Sequence, residues 1–375
     1  PGPGAPVPGP GSPGPSPSPS PSPAQPTYVV SFGQSDAGST YSVLENVGTA
    51  YIPVTLDEAA SKTITVTYQT GSGGTATAGG TDYTALSSAT LTFNPGETIA
   101  YIPLVIANDT SDEDSQTVTI ELSSVTYDGS ASVDDSSFAD KGTTETGTVT
   151  IVDDDGAVEW LVQDGAQLEQ SANGDAGVRL TVTRAGTEAN LTAAHTVNYA
   201  TAAATGHSTT VATSGTDFTA ASGTLTFAST TLNEGGTLSA TDTTITLTSV
   251  TNFATGGGVV TIEDEDISYS GITGNNLTGV VRGINGTTAA THADGKAANE
   301  TGIYVDVVGS ADSTSEIAEN LALTISSAST GTIADATGIG TIIDNDASTV
   351  TYGKAATWAG STASFAYVSD TANME

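Results

Sequence analysis

Thr146–Asp155, TGTVTIVDDD, begins as a strand and ends as charge. Val149 and Ile151 alternate with threonines at period two, the mark of a half-buried strand. Three consecutive carboxylates follow, and like charges that close repel unless a cation sits among them. The pattern returns at Thr337–Ala347, TGIGTIIDNDA, where Asp344 and Asp346 flank Asn345. A cluster of oxygen donors without His or Cys suits a hard cation, Ca²⁺ first. A solvated acidic turn is the plain account of one such run. Recurrence at the same place in a repeated pattern decides for the cation.

The chain has 375 residues, enough for two or three domains. Seven Lys and Arg stand against 42 Asp and Glu, a formal charge of −35. Such a balance excludes nucleic acid, whose binding requires basic surface, and charge-driven docking to anionic membranes. It favours cations, which relieve the self-repulsion of a compact acidic chain. There is no Cys, hence no disulfide, and no apolar run of membrane-spanning length. Thr, Ser, Gly, Ala and Val dominate, so the expected class is all-β.

Residues 1–26, PGPGAPVPGPGSPGPSPSPSPSPAQP, form a Pro/Ser/Gly-rich segment. Gly does not recur at every third position, so it is no collagen helix; alternate Pro favours extended polyproline II, a semi-rigid spacer. From residue 27 to 156 seven short alternating runs, punctuated by Gly, Asn, Asp and Pro, predict an antiparallel sandwich. Residues 157–347 repeat it: Val158–Val162 answers Tyr28–Phe32, Gln167-Leu-Glu169 answers Val43-Leu-Glu45, and Gly215-Thr-Asp217-Phe218 answers Gly80-Thr-Asp82-Tyr83. About 229–298 have no counterpart and read as a small β module inserted in a hairpin loop, where a domain tolerates insertion. Its text loosely resembles a segment of phage-tail and bacterial surface proteins. Residues 348–375 read as the opening of a third repeat, either a repeat that is incomplete or a strand pair donated to a neighbour. Two strands cannot make a sandwich alone.

Leu44-Glu45-Asn46, Gly80-Thr-Asp82-Tyr83, Phe93-Asn-Pro-Gly-Glu97, the acidic run Asn108–Asp114 and Ile151-Val-Asp-Asp-Asp155, in that order, resemble the Calx-β domain. That family includes the calcium sensor of sodium–calcium exchangers and bacterial surface repeats. The resemblance covers residues 27–156, and 157–347 apart from the insertion. It implies tandem immunoglobulin-like sandwiches that bind Ca²⁺ at one end. The implied ligands are Glu45, Asp109, Asp112, Asp153, Asp154 and Asp155 in the first copy. In the second they are Glu169, Asp312, Glu316, Asp344 and Asp346. The exchanger sensor carries an acid where Gly71-Ser72-Gly73 stands and a carboxylate triplet at Ala107-Asn108-Asp109. The first copy is therefore expected to bind more weakly than the sensor, and the second, poorer still in carboxylates, to hold one ion or none. Asp82 and Asp217 are expected to cap their own turns rather than bind metal.

No Gly-x-Ser-x-Gly elbow, phosphate loop or His metal spacing occurs. His195 and His207 read as solvated loop residues, and Trp160 and Trp358 as core. The expectation is a non-enzymatic, extracellular, cell-surface structural subunit. It would be a Ca²⁺-stabilised rod that self-associates head to tail into a filament through its C-terminal strands, with the Pro-rich segment along the next subunit. The alternative is a calcium-dependent adhesin, or a module of a larger surface protein, that binds a glycan or protein ligand through the insertion.

Overall fold

The computed structural model describes residues 28–33, 40–56, 60–127, 139–141, 146–168, 177–205, 211–310 and 319–343. The segment 1–26, the tail 348–375, His207 and Trp358 lie outside them. Strands form where β-branched side chains crowd, because these pack well on a pleated surface. The first half holds β1 (Tyr28–Phe32), β2 (Thr40–Leu44), β3 (Thr49–Leu56), β4 (Ile64–Thr70) and β5 (Ala89–Phe93). Then come β6 (Ile99–Val105), β7 (Gln116–Tyr127), β8 (Ala139–Lys141) and β9 (Thr146–Val152). Two sheets result, ordered β6-β3-β1-β8 and β2-β9-β7-β4-β5.

Alternation turns Ile64, Val66 and Tyr68 of β4 inward, against Ile52 and Val54 of β3 and Ile102 and Leu104 of β6, in one buried core. Most pairings are antiparallel. β2 departs from this: β1 pairs with β3 in one sheet, whereas β2 crosses to the other sheet and runs parallel to β9. That crossing sets the functional end, because Leu44 falls opposite Val152.

The second half begins with β10 (Glu159–Gln163), β11 (Gly165–Leu168), β12 (Val178–Ala185), the one-turn helix α1 (Glu188–Leu191), β13 (His195–Ala203) and β14 (Ser222–Phe227). The unmatched stretch supplies β15 (Ser229–Thr231), β16 (Thr237–Leu238), β17 (Ile245–Thr246), β18 (Gly258–Ile262) and β19 (Glu265–Tyr269). It continues with β20 (Gly271–Thr273), β21 (Asn276–Thr278), β22 (Val281–Ile284) and β23 (His292–Ala293). Last are β24 (Ala297–Val307), β25 (Glu319–Ser326), β26 (Thr332–Ile333) and β27 (Thr337–Ile343). The sheets are ordered β22-β19-β18-β24-β12-β10-β26 and β11-β27-β25-β13-β14. β11 and β27 repeat the parallel pair of the first half. Trp160 is fully buried, donates from Nε1 to Thr330 O at 2.7 Å and meets Phe227 edge-on at 5.0 Å.

The inserted stretch differs from the expectation of a module held in a hairpin loop. It has its own core of Leu238, Leu247, Ile262, Ile267 and Leu277 and two small sheets of its own, β16-β23 and β17-β21-β20, yet β15, β18, β19 and β22 extend the sheet of the sandwich. β24 is eleven residues long. On one edge Gly302–Val307 pair with β12 and Ala297–Asn299 with β15; on the other, Asn299–Ile303 pair with β18. The backbone donors and acceptors that β12 leaves open before Gly302 are taken by β15, and β18 pairs along the other edge of the strand. His195 also differs. It stands on β13, half-buried, with Nδ1 3.0 Å from the buried Arg184. Among the described residues no helix is long and apolar enough to cross a membrane.

Candidate metal centre

The parallel register of β2 and β9 ends with Leu44 beside Val152. The next residue of each chain is an acid, so Glu45 and Asp153 emerge together at one pole of the first sandwich. Glu45 opens a single 3-10 turn, Glu45–Val47, which Gly48 ends at a φ of 72°. One ligand oxygen each from Glu45, Asp153 and Asp155 lie within 4.8 Å of one another. The loop after β6 closes over them. The Asp109 amide donates to Glu45 Oε1 at 2.9 Å, and the Ser111 amide donates to the Asp109 carboxylate at 2.7 Å. Asp112 meets Asp153 over Gly156, where a Cβ would lie 2.1 Å from Asp112 Oδ1 and 2.9 Å from Asp153 Oδ2. Only a residue without a side chain leaves that hollow to the carboxylates.

Asp154, the middle acid, faces the other way, as alternate residues of an extended chain do. It lines a cavity with Asn46 and with Asp266 of the insertion. The insertion thus brings unforeseen acids to the same pole: Glu263, Asp264 and Asp266 share a cavity of about 660 Å³ with Asp109, Asp154 and Asp155. The sequence signal was the run Glu263–Asp266 at the β18–β19 turn. Its partner, 110 positions earlier in the chain, was invisible to local reading. Glu113 was missed as well. Its amide and that of Asp155 reach the Asp153 carboxylate, and its side chain lines a small pocket of about 10 Å³ with Glu45, Asp82 and Asp153. That volume is room for one ion or water.

Burial, and then the charges of Asp109, Asp153 and Asp155, push the Glu45 carboxyl up to about 7. Burial first and Asp155, Glu45 and Asp266 after it raise Asp154 to about 7 too. Asp153 and Asp155 are raised by the same causes, burial foremost. Asp109 is held below its usual range by its bond from Ser111. Among the described residues no basic side chain pairs with these acids. Asp153 Oδ1, Asp154 Oδ1, Asp155 Oδ2, Asn46 Oδ1 and Gln116 Oε1 are buried without a hydrogen-bond partner. Asp153 as a whole is only 5 % exposed. Buried acceptors without donors cost free energy, and a cation ligated by oxygen satisfies them. The donor set therefore fits Ca²⁺.

The structure brings together Glu45, Asp109, Asp112, Asp153 and Asp155 and sets Asp154 on the side of the insertion. Asp82 serves its turn, taking the Thr77 amide, as Asp217 takes the Thr213 amide at 2.6 Å. Glu169, Asp312, Glu316, Asp344 and Asp346 lie outside the described residues. The pole is also a joint: Asp153–Asp155 open the link, Asp153–Val158, between β9 and β10 of the second sandwich. Asn190 Nδ2 donates to Gly156 O at 2.8 Å and Ser115 Oγ to Glu159 at 3.0 Å. Leu44 and Val152 of the first sandwich bury against Leu161 and Ala185 of the second.

Comparison with known structures finds the apo-form Calx CBD1 domain at 25% identity, covering 34% of this chain and 99% of that one, with a TM-score of 0.28. The two-domain CBD12 of CALX1.2 is 17% identical over 81% of this chain and 82% of that one, with a TM-score of 0.29. A two-domain protein of unknown function from Bacteroides fragilis is 10% identical, covering 76% and 92%, at 0.25. No curated protein matches the chain. The model of the Calx-beta domain family matches residues 28–155 and 167–245, more than half of the chain, and the protein therefore belongs to the Calx-beta domain family.

Proposed function

We propose that this chain is a calcium-locked structural rod at a cell surface, a binding and scaffolding module rather than an enzyme. The observation that carries this reading is the place of the acid cluster. Asp153–Asp155, each with one buried oxygen that lacks a partner, open the link between the sandwiches, so a cation there would fix both the pole and the angle of the joint. Glu45, Asp109, Asp112, Asp153 and Asp155 would hold Ca²⁺, which supplies the charge that makes the crowded acids compatible. Calorimetric titration with CaCl₂ should show saturable binding. Small-angle scattering should show a more rigid, uniform particle with Ca²⁺ than with chelator. A titration without heat and scattering unchanged by chelator would overturn the reading.

Polymerisation is the second part of the proposal. β5 and β6 lie at the edges of their sheets, and an open edge accepts an added strand from another chain. Residues 348–375 are the proposed donor, giving an open head-to-tail filament. Electron micrographs of the full chain should then show fibres that disappear on deletion of 348–375. Fibres that persist would remove the donated strands.

A further inference from the structure

We infer that the face of the first sandwich carrying Tyr51 and Tyr101 is a docking cleft for the chain's own Pro-rich segment, residues 1–26. On the outer face of the β3–β6 pair, Tyr51 stands opposite Pro103 and Pro53 opposite Tyr101. Tyr51 is 65% exposed and Tyr101 47%, unusual for rings of this size on neighbouring strands. Val105 and Ile99 extend the patch, also exposed. No charged residue falls at the outward positions of either strand, in a chain of net charge −35. The rings overlook a cleft of about 500 Å³, closed on its far side by Val162, Gln163 and Asp164 of the second sandwich and Asn285 of the insertion. Asp164 takes the Ile339 amide at 2.6 Å, and Asp335, also on that wall, takes the Thr337 amide at 3.1 Å. Both acids thus have partners within the second sandwich.

The occupant follows from chemistry and reach. Aromatic rings separated by prolines form grooves that receive polyproline segments, whose backbone is already extended and loses little entropy on docking. Residues 1–26 hold 12 of the chain's 15 prolines and no charged side chain, so they approach an acidic protein without repulsion. The segment joins the fold at β1, the strand next to β3. From the register of that pair, Tyr51 lies roughly 23 Å along the sheet from Tyr28. Twenty-six residues of polyproline span about 80 Å, ample for a return over the sheet.

The test uses the full chain with Tyr101→p-benzoylphenylalanine, irradiated and mapped by mass spectrometry. Tyr51→p-benzoylphenylalanine is a second site, and Thr92, exposed on the opposite sheet, is the control position. Adducts from 51 and 101 are expected within residues 1–26, absent from the control, and confined to single chains when labelled and unlabelled protein are mixed. Because a tether supplies a millimolar effective concentration, a synthetic peptide of residues 1–26 should compete only at about that level. Adducts elsewhere, adducts at the control level, or adducts joining labelled to unlabelled chains would each overturn the assignment.

Discussion

Asp153 is where the cost of the acid cluster concentrates. Its carboxylate is nearly buried, carries one unpartnered oxygen and faces Asp112 and Asp109. Asp153→Asn removes a charge from that repulsion while keeping the shape. In chelator the variant should melt higher than the parent, by roughly 2–4 °C, and by less at high salt, which screens the repulsion. With Ca²⁺ the order should reverse, since the variant lacks a ligand; melting curves with and without the ion check both signs. Glu45 and Asp154 make a pH prediction. Both carboxyls are raised to about 7 by burial and neighbouring charge. A carboxyl whose pKa is higher in the folded state stabilises the fold while protonated, and that stability is lost as pH rises through the folded pKa. The chelated protein should therefore lose stability between about pH 4.5 and 7, and saturating Ca²⁺ should abolish the loss. A melting temperature flat across that window in chelator would contradict it.

Among the elements, β24 does the most varied work, because it belongs both to the sandwich and to the insertion. Glu300 on it is fully buried and accepts the amides of Ala228 at 3.1 Å and Ala254 at 2.8 Å, and the Tyr269 hydroxyl at 2.5 Å. Arg184, also fully buried, donates to the Glu300 carbonyl at 2.9 Å and lies over the Phe227 ring. This network ties both ends of the inserted stretch to the second core. Glu300→Ala removes the acceptor of the Ala228 and Ala254 amides and the charge beside a buried guanidinium, at a cost of about 3–5 kcal/mol. Denaturant melts should show the insertion and the second sandwich weakened together; loss confined to the insertion would mean the two are not coupled through β24. A second network, in which Glu265 receives Arg282 at 2.7 Å and lies 2.7 Å from His292, pins the β18–β19 turn. Burial alone would raise Glu265, but Arg282, the Ala290 amide and His292 outweigh it and hold the carboxylate at about 2. That turn, with its acids facing the metal pole, accordingly keeps its support down to mildly acid pH.

At the scale of the molecule, the insertion braces the joint. The Asn285-Gly286 turn after β22 sits on the Val47-Gly48 turn that follows Glu45 of the acid cluster; a Cβ at Gly286 would lie 3.0 Å from Val47 O and 3.2 Å from Gly48 N. Gly286→Asn tests the brace. Gly286 has a φ of 80°, which asparagine tolerates better than other side chains, so the change adds bulk with little backbone strain. It should wedge the turns apart, raise the radius of gyration in Ca²⁺ and weaken Ca²⁺ binding, while leaving the melting of the insertion itself nearly unchanged. Identical scattering for variant and parent would show that the contact carries no load.

The strands, the repeat and the meeting of Glu45, Asp153 and Asp155 at one pole were legible in the sequence because each depends on local order. Alternation at period two sets the buried face, and an acid directly after a strand must emerge at that strand's end. Trp160 was legible as core for the same reason. The opposite aim of Asp154 and the arrival of Glu263, Asp264 and Asp266 at the first sandwich's pole were not. They depend on how two sandwiches meet across the link Asp153–Val158, and no periodicity encodes that meeting. The extension of the second sheet by β18 and β19 was equally hidden, since strand pairing between distant segments is settled by which backbone groups remain open. Sequence alone determined the kind of structure and the kind of donor gathered at its pole, through side-chain period and the placing of carboxylates after a strand. Tertiary structure alone decided which acids share that pole, because proximity between distant residues arises only when the sheets have packed.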